Sequence, residues 1–407
     1  MLLLLFLILV FLSYYLSTYS SIRKSAVLIA MYVYIVVTIM DMGWMSIIGR
    51  PFHVSDPTEY YEKTLNISFL QVLQLESTNT FYFLINWYYN HVYNDPYFIS
   101  FLIKIDNVLV ILIAYLLLTF KLENFGVNDL ILLFNPYLLV TISHNVRDAY
   151  IILFVSMVLV GIGCLYHTRF KYAYLILGLL FLSITRSILI AVFGILALIS
   201  LYKRNPKWFY LIVPLVGIVL YSYSDQILNS MVQQTVSAMD FVNEDTSEFA
   251  ELLDNQYSLS TLILLAKRFV IGSFSLVFTP HPINFYNQWI ANADYMGNYG
   301  IYTAFDNILI VIGSIYCYLL ILPRFIKYFF EYWDNTKNIL YFVSLFIVIY
   351  VIAYLGITDI RNRHIIFFFI LIDYIYQNKN MEILDYTNIR YYLMTLAMFI
   401  AISLVTY

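Results

Sequence analysis

Apolar windows of roughly 17–25 residues recur along the whole chain with few or no charges, and short polar stretches separate them. A helix of that length rises about 1.5 Å per residue and crosses roughly 30 Å of hydrocarbon. The pattern predicts helices near residues 2–19, 26–48, 99–120, 129–146, 149–166, 172–185, 187–202, 208–222, 304–322, 339–357, 364–377 and 391–407. The expected fold class is therefore an all-α polytopic integral membrane protein of about twelve transmembrane helices, within a range of about ten to fourteen. Spans and short loops take up nearly all of 1–407, so one membrane-embedded domain is expected, with no appended soluble catalytic domain. The first window, 2–19, lacks a basic leader and a small-residue cleavage site, and reads as a retained helix.

Two stretches break the pattern. Residues 65–92 are apolar but interrupted by Gln71, Gln74, Glu76 and Asn79, which predicts interfacial helices or a hairpin within a first outer loop at 49–98. Residues 259–278 carry Lys267 and Arg268, which predicts a re-entrant or surface helix within a long outer loop at 223–303.

Composition agrees with the pattern: 62% of the 407 residues are hydrophobic and 12% charged, with mean hydropathy +0.79. A soluble domain does not have that balance. A net charge of −3 and the lack of a basic tail give no reason to expect nucleic acid as a partner. Tyr (40) and Phe (32) suit interfacial belts and packing against lipid. Cys164 and Cys317 each lie in an apolar stretch and read as small core residues.

Charge then sets orientation, because cytoplasmic loops retain Lys and Arg. The clusters Arg23–Lys24, Lys121, Arg169–Lys171, Lys203–Lys207, Arg324–Lys337 and Lys379–Arg390 can all lie on that side if the helices alternate, which leaves both termini outside. Every remaining connection falls on the opposite face. The long outer loop is acidic, with seven carboxylates from Asp225 to Asp254 and no Lys or Arg between Lys207 and Lys267. The run 172–202 is too long for one ordinary helix and holds Arg186 at its middle. Two short helices put Arg186 at an outward turn, avoiding most of the roughly 2.5–3.5 kcal/mol that a mid-membrane arginine costs.

The outer face gathers Arg147, Arg186, Arg268, Arg361 and Arg363 from four loop regions. Any one of them suits an interfacial anchor. As a group of guanidinium forks they match the oxygens of a diphosphate, each charge-assisted bond contributing roughly 1.5–3 kcal/mol. Candidate acids and bases stand beside them: His144, Asp148, Asp359 and His364, with His53, Asp56 and Glu59 in the first outer loop. Asp148 and Asp359 read first as salt-bridge partners of Arg147 and Arg361 and only second as catalysts. Asp56, Glu59 and His144 are the candidate catalytic residues, a carboxylate or imidazole that accepts a sugar hydroxyl's proton. His281, flanked by prolines, reads first as a loop residue. The chain has no GxxxxGK[ST] loop, no HExxH and no Cys/His grouping, so neither nucleotide hydrolysis nor zinc is expected. Outward-facing chemistry without nucleotides requires an activated donor already in the membrane, and a lipid-diphosphate sugar is one.

These residues resemble a known family, the Wzy-type O-antigen and capsular polysaccharide repeat-unit polymerases, related in architecture to class C glycosyltransferases. The resemblance is carried by "LLFNPYLLVTISHNVRDAY" (133–150), "LSITRSILIAV" (182–192), "AKRFVIGSF" (266–274) and "DIRNRHI" (359–365). Ser187 and Ser273 stand where the family typically carries proline. The resemblance implies polymerisation of undecaprenyl-diphosphate-linked oligosaccharides at the periplasmic face of the bacterial inner membrane. It implies arginines that neutralise the departing diphosphate, a base on the acceptor hydroxyl, and no cofactor beyond the lipid-linked substrate. Partners would be membrane lipid and, from the same lipopolysaccharide or capsule pathway, a flippase and a chain-length regulator. Rival readings are a lipid-linked-oligosaccharide flippase or other transporter, a polyprenyl-phosphate-sugar-dependent glycosyltransferase, and an O-antigen ligase.

Overall fold

Asp95 and Pro96 show how the apolar runs become helices. The Asp95 side chain accepts a hydrogen bond from the backbone N–H of Tyr97 at 3.0 Å, and Pro96 occupies the first turn, where no N–H is needed. The computed structural model describes residues 21–53, 56–75, 79–120, 127–145, 147–162, 169–185, 189, 210, 304–323, 326 and 389–406. Every regular element among them is helical. The chain divides into two compact units, 1–187 with 280–331 and 366–407, and 188–279 with 332–365. All the helices described below belong to the first unit.

In chain order these are α1 (Ser21–Ile47), α2 (Asp56–Thr64), α3 (Phe69–Gln74), α4 (Thr80–Val92), α5 (Pro96–Thr119), α6 (Val127–Leu133), α7 (Pro136–Ser143), α8 (Asp148–Ile162), α9 (Lys171–Thr185), α10 (Ala304–Tyr316) and α11 (Ile389–Thr406). A π-helical turn, Cys317–Ile321, continues α10. Two of these helices, α1 from Arg23 and α5, are long and apolar enough to cross a membrane. The expected spans at 2–19, 187–202, 208–222, 339–357 and 364–377 lie outside the described residues, Leu189 and Tyr210 excepted. So do the whole of the long loop 223–303 and Cys164.

One face of α1 buries Ala26, Val27, Ala30, Tyr34, Val37 and Met45 together with the polar Arg23, Thr38 and Asp41, while Leu28, Ile29, Tyr32, Ile39, Met40 and Ile47 are exposed. Hydrocarbon as the surrounding solvent favours that arrangement, because charge is costly against lipid and Leu or Ile is not. α9 and α11 likewise expose Ile176, Leu180, Leu393, Leu396 and Ile400. α5 is different: it is buried almost throughout, between α1, α4, α7 and α8, and forms the axis of the unit.

One expectation is corrected. Residues 129–146 do not form a single helix but break into α6 and α7 at Asn135–Pro136. Pro136 has no N–H to donate and clashes with a continuing helix, and the Asn135 side chain caps the new one by accepting from Tyr137 N at 3.0 Å. The Tyr34 hydroxyl of α1 donates to the carbonyl of Leu133, one of those the break releases.

α8 and α9 approach closely because glycines face the contact. A Cβ on Gly161 would meet the Leu175 backbone at 2.5 Å, and one on Gly178 would lie 2.7 Å from the Val158 side chain. Phe81 of α4, Phe154 and Tyr150 of α8, and Phe181 of α9 close the adjoining core edge to face, with Phe154 and Phe181 stacked at 4.9 Å. Within residues 49–98, α2, α3 and α4 pack on one another. Asn90 donates to Tyr61 O at 3.1 Å and to Thr64 Oγ1 at 2.8 Å, while Trp87 Nε1 donates to Ile67 O at 2.8 Å.

Candidate functional site

Ser100, Lys104 and Asn107 recur at helical spacing along α5 and form a polar stripe in a largely apolar helix. Each finds its partner on a different segment. Ser100 Oγ donates to Asn145 Oδ1 at 3.0 Å, and Asn145 Nδ2 returns a bond to Ser100 O at 2.8 Å. Asn107 Nδ2 donates to His144 O at 2.8 Å. These bonds fix the turn between α7 and α8 against the N-terminal half of α5.

Lys104 Nζ donates to Asp41 Oδ2 of α1, and both side chains are fully buried. The same carboxylate oxygen lies 3.2 Å from His53 Nε2. His53 stacks on His144, ring centroids 3.9 Å apart and planes 17° off parallel. The result is a continuous file of ionisable groups, Lys104, Asp41, His53 and His144, drawn from four stretches of chain. Removing one member of such a buried pair costs about 3–5 kcal/mol, because the other charge stays desolvated.

Arg147 follows the same turn. Its carbonyl accepts the first α8 backbone bonds, from Tyr150 N at 3.0 Å and Ile151 N at 3.1 Å. Only 8% of the residue is exposed, yet Nη1 meets no acceptor among the described residues, and no carboxylate there lies within ion-pair distance of the guanidinium. The one carboxylate of α5, Asp106, points toward α4 and accepts a bond from Tyr89. Burial, and then the Asp106 carboxylate, holds the Tyr89 phenol above its ordinary range.

The sequence-predicted residues separate accordingly. His144 and Arg147 lie in or beside the buried file, as does His53. Asp56 is the first residue of α2. Glu59 is on the solvent side of α2, where it accepts from Lys63 at 2.5 Å with both side chains about half exposed, and it is not part of the file. Arg186, Arg268, Arg361 and Arg363 lie outside the described residues, as do Asp359, His364 and His281. Arg23, read in the sequence as a loop cation, is 1% exposed and paired with Asp129 at 3.5 Å.

Sequence reasoning missed Asp41, Ser100, Lys104, Asp106, Asn107 and Asn145. The spacing 100, 104, 107 was the available signal, since three polar residues on one face of a span need partners on a neighbouring element. Among the described residues no group of three or more His, Cys, Asp or Glu is placed to hold a metal ion.

Chemically, a buried imidazole held against a carboxylate can take up and release a proton, and a guanidinium with an unmatched N–H can receive an anionic oxygen. Comparison of the chain with protein-family models, with curated proteins and with solved structures finds no match in any of the three.

Proposed function

We propose that this chain is a multi-pass membrane glycosyltransferase that joins lipid-diphosphate-linked oligosaccharides, as O-antigen and capsule repeat-unit polymerases do, at the periplasmic face of a bacterial inner membrane. The observation that carries the reading is Arg147, a buried guanidinium with an unmatched donor, three residues along the chain from an imidazole of the Asp41–His53–His144 file. Cation and base are the two elements that glycosyl transfer from a diphosphate requires.

In the proposed reaction an acceptor hydroxyl oxygen bonds to the anomeric carbon of the donor chain, and the bond from that carbon to the diphosphate oxygen breaks. The hydroxyl proton passes to the imidazole file, and the diphosphate leaves with its charge opposed by Arg147. His144, close to Arg147 in the chain, is the proposed base, with His53 and Asp41 orienting it. Undecaprenyl diphosphate is the proposed carrier, with a flippase and a chain-length regulator of the same pathway as partners. The reaction calls for neither nucleotide nor metal.

The buried Asp41–Lys104 pair, inside two helices long enough to cross a membrane, favours a second reading: a transporter of the same lipid-linked oligosaccharide. One experiment separates the two. Surface polysaccharide from a strain lacking the chain is resolved on a gel, with and without a plasmid-borne copy. A single-repeat band that becomes a ladder on complementation is the expected result. Loss of even the single-repeat band in the deletion strain would replace the transferase with the transporter.

A further inference from the structure

α9 packs through one side. Gly178, which faces Val158 of α8, and Leu182 are buried, whereas Tyr172, Ile176 and Leu180, spaced four apart on one helix face, are each between 52% and 62% exposed. From Lys171 to Leu180 the helix rises about 14 Å, close to half of roughly 30 Å of hydrocarbon. The exposed apolar stripe is thus one leaflet deep. Positive charge stands at one end of it. Lys171 Nζ lies 4.7 Å from the centroid of the Tyr172 ring, so the ammonium rests on the first residue of the stripe. Arg169, in the turn just before, is exposed, and its Cα is within about 7.6 Å of that of Lys171 by backbone length. Neither cation has a carboxylate within ion-pair distance among the described residues, and the sequence has no Asp or Glu between Asp148 and Asp225.

We propose that this face of α9 binds one acidic phospholipid, with Lys171 on its phosphate, the charge of Arg169 close by, and its acyl chain along Tyr172, Ile176 and Leu180. The stripe accepts an acyl chain of any lipid, and the two cations select the headgroup by its net charge. A zwitterionic lipid presents the same phosphate, but its own ammonium opposes Lys171. A second copy of the chain fits the face less well, because a two-fold axis along the membrane normal would set Lys171 and Arg169 against their own counterparts. Leu175, one turn beyond Lys171, adjoins Gly161 at the C-terminal end of α8, whereas Arg147 precedes the N-terminal end of that helix. The lipid site therefore stands apart from Arg147 and does not depend on the glycosyl-transfer reading.

The test is native mass spectrometry of the full chain in detergent micelles, titrated with phosphatidylglycerol or with phosphatidylethanolamine. One phosphatidylglycerol should bind saturably, with an affinity on the order of thirtyfold above that for phosphatidylethanolamine, as two cations near a membrane surface supply. Arg169→Gln together with Lys171→Gln should bring the ratio close to one. Arg169→Gln alone, at an exposed turn residue, should lower it on the order of fivefold, and it carries the test if the double variant does not fold. Equal affinity for the two lipids in the parent chain overturns the proposal, as does an undiminished ratio in the variants. So does a dimer trapped through Leu180→Cys, which would place a second copy on the stripe.

Discussion

At its C-terminal end α5 meets Arg23 and Asp129, and about 22 Å away along the same helix Lys104 meets Asp41. Both are buried pairs between distant stretches of chain, and their surroundings differ. At the first, Asp129 Oδ1 also accepts from the Tyr115 hydroxyl at 2.6 Å, and Arg23 Nη1 donates to the carbonyl of Thr119 at 3.4 Å, where α5 ends. Charge is balanced, and a helix terminus is tied down. At the second, the Asp41–Lys104 pair is equally balanced, but Asp106, two residues along α5, and Arg147, three residues after His144, have no oppositely charged side chain within ion-pair distance among the described residues. A balanced cluster serves the fold. Leftover valence in a buried region has a cost that stability alone does not explain, and so points to a ligand or a reaction.

The comparison can be broken from either end. Lys104→Met should have the largest effect, about 3–5 kcal/mol of lost stability, because Asp41 would remain buried without its ammonium. Thermal unfolding of the purified chain reads it, and adding Asp41→Asn should return most of the loss. Arg23→Met should cost a similar amount at the other end. If either single variant melts as the parent does, that pair is not buried as described.

Arg147→Ala should separate stability from function. Removing a cation with no carboxylate partner should change unfolding by no more than about 1 kcal/mol while the polysaccharide ladder disappears. Arg147→Lys should restore the ladder only partly, since a point charge does not reproduce the guanidinium fork. A full ladder from Arg147→Ala would remove the anion site from the scheme. The smallest effect is expected at Glu59: Glu59→Gln breaks only an exposed pair with Lys63 and should stay within about 0.5 kcal/mol with the ladder intact. Loss of the ladder there would move the base from His144 to α2.

The helices were legible where local rules act alone. α5 starts at Pro96, three residues before the predicted 99, and α8 at Asp148, one before the predicted 149. His144 and Arg147 were legible because charge stood out at the end of an apolar run. Asp41 and Lys104 were not, since hydropathy averages one charge over a whole window, and their pairing joins residues 63 apart in the chain. Arg23 misled for the same reason: a basic residue at a span's edge looks like a loop cation until its partner, 106 residues away, is in place. The break at Asn135–Pro136 was visible in the sequence, but a surrounding run apolar enough to bridge it hid the consequence.

That break bears on how the protein is made. α6 and α7, at seven and eight residues, are each only about 10–12 Å long, and neither can leave the translocation machinery as an independent span. Their loose backbone ends are covered by side chains from α1, and α7 also packs against α5. Neither short helix brings enough surface to hold its place alone, so 127–143 should settle only after α1 and α5 have come together. Ordering of this stretch is thus a late, cooperative event in folding, set by the earlier helices and not by its own hydropathy.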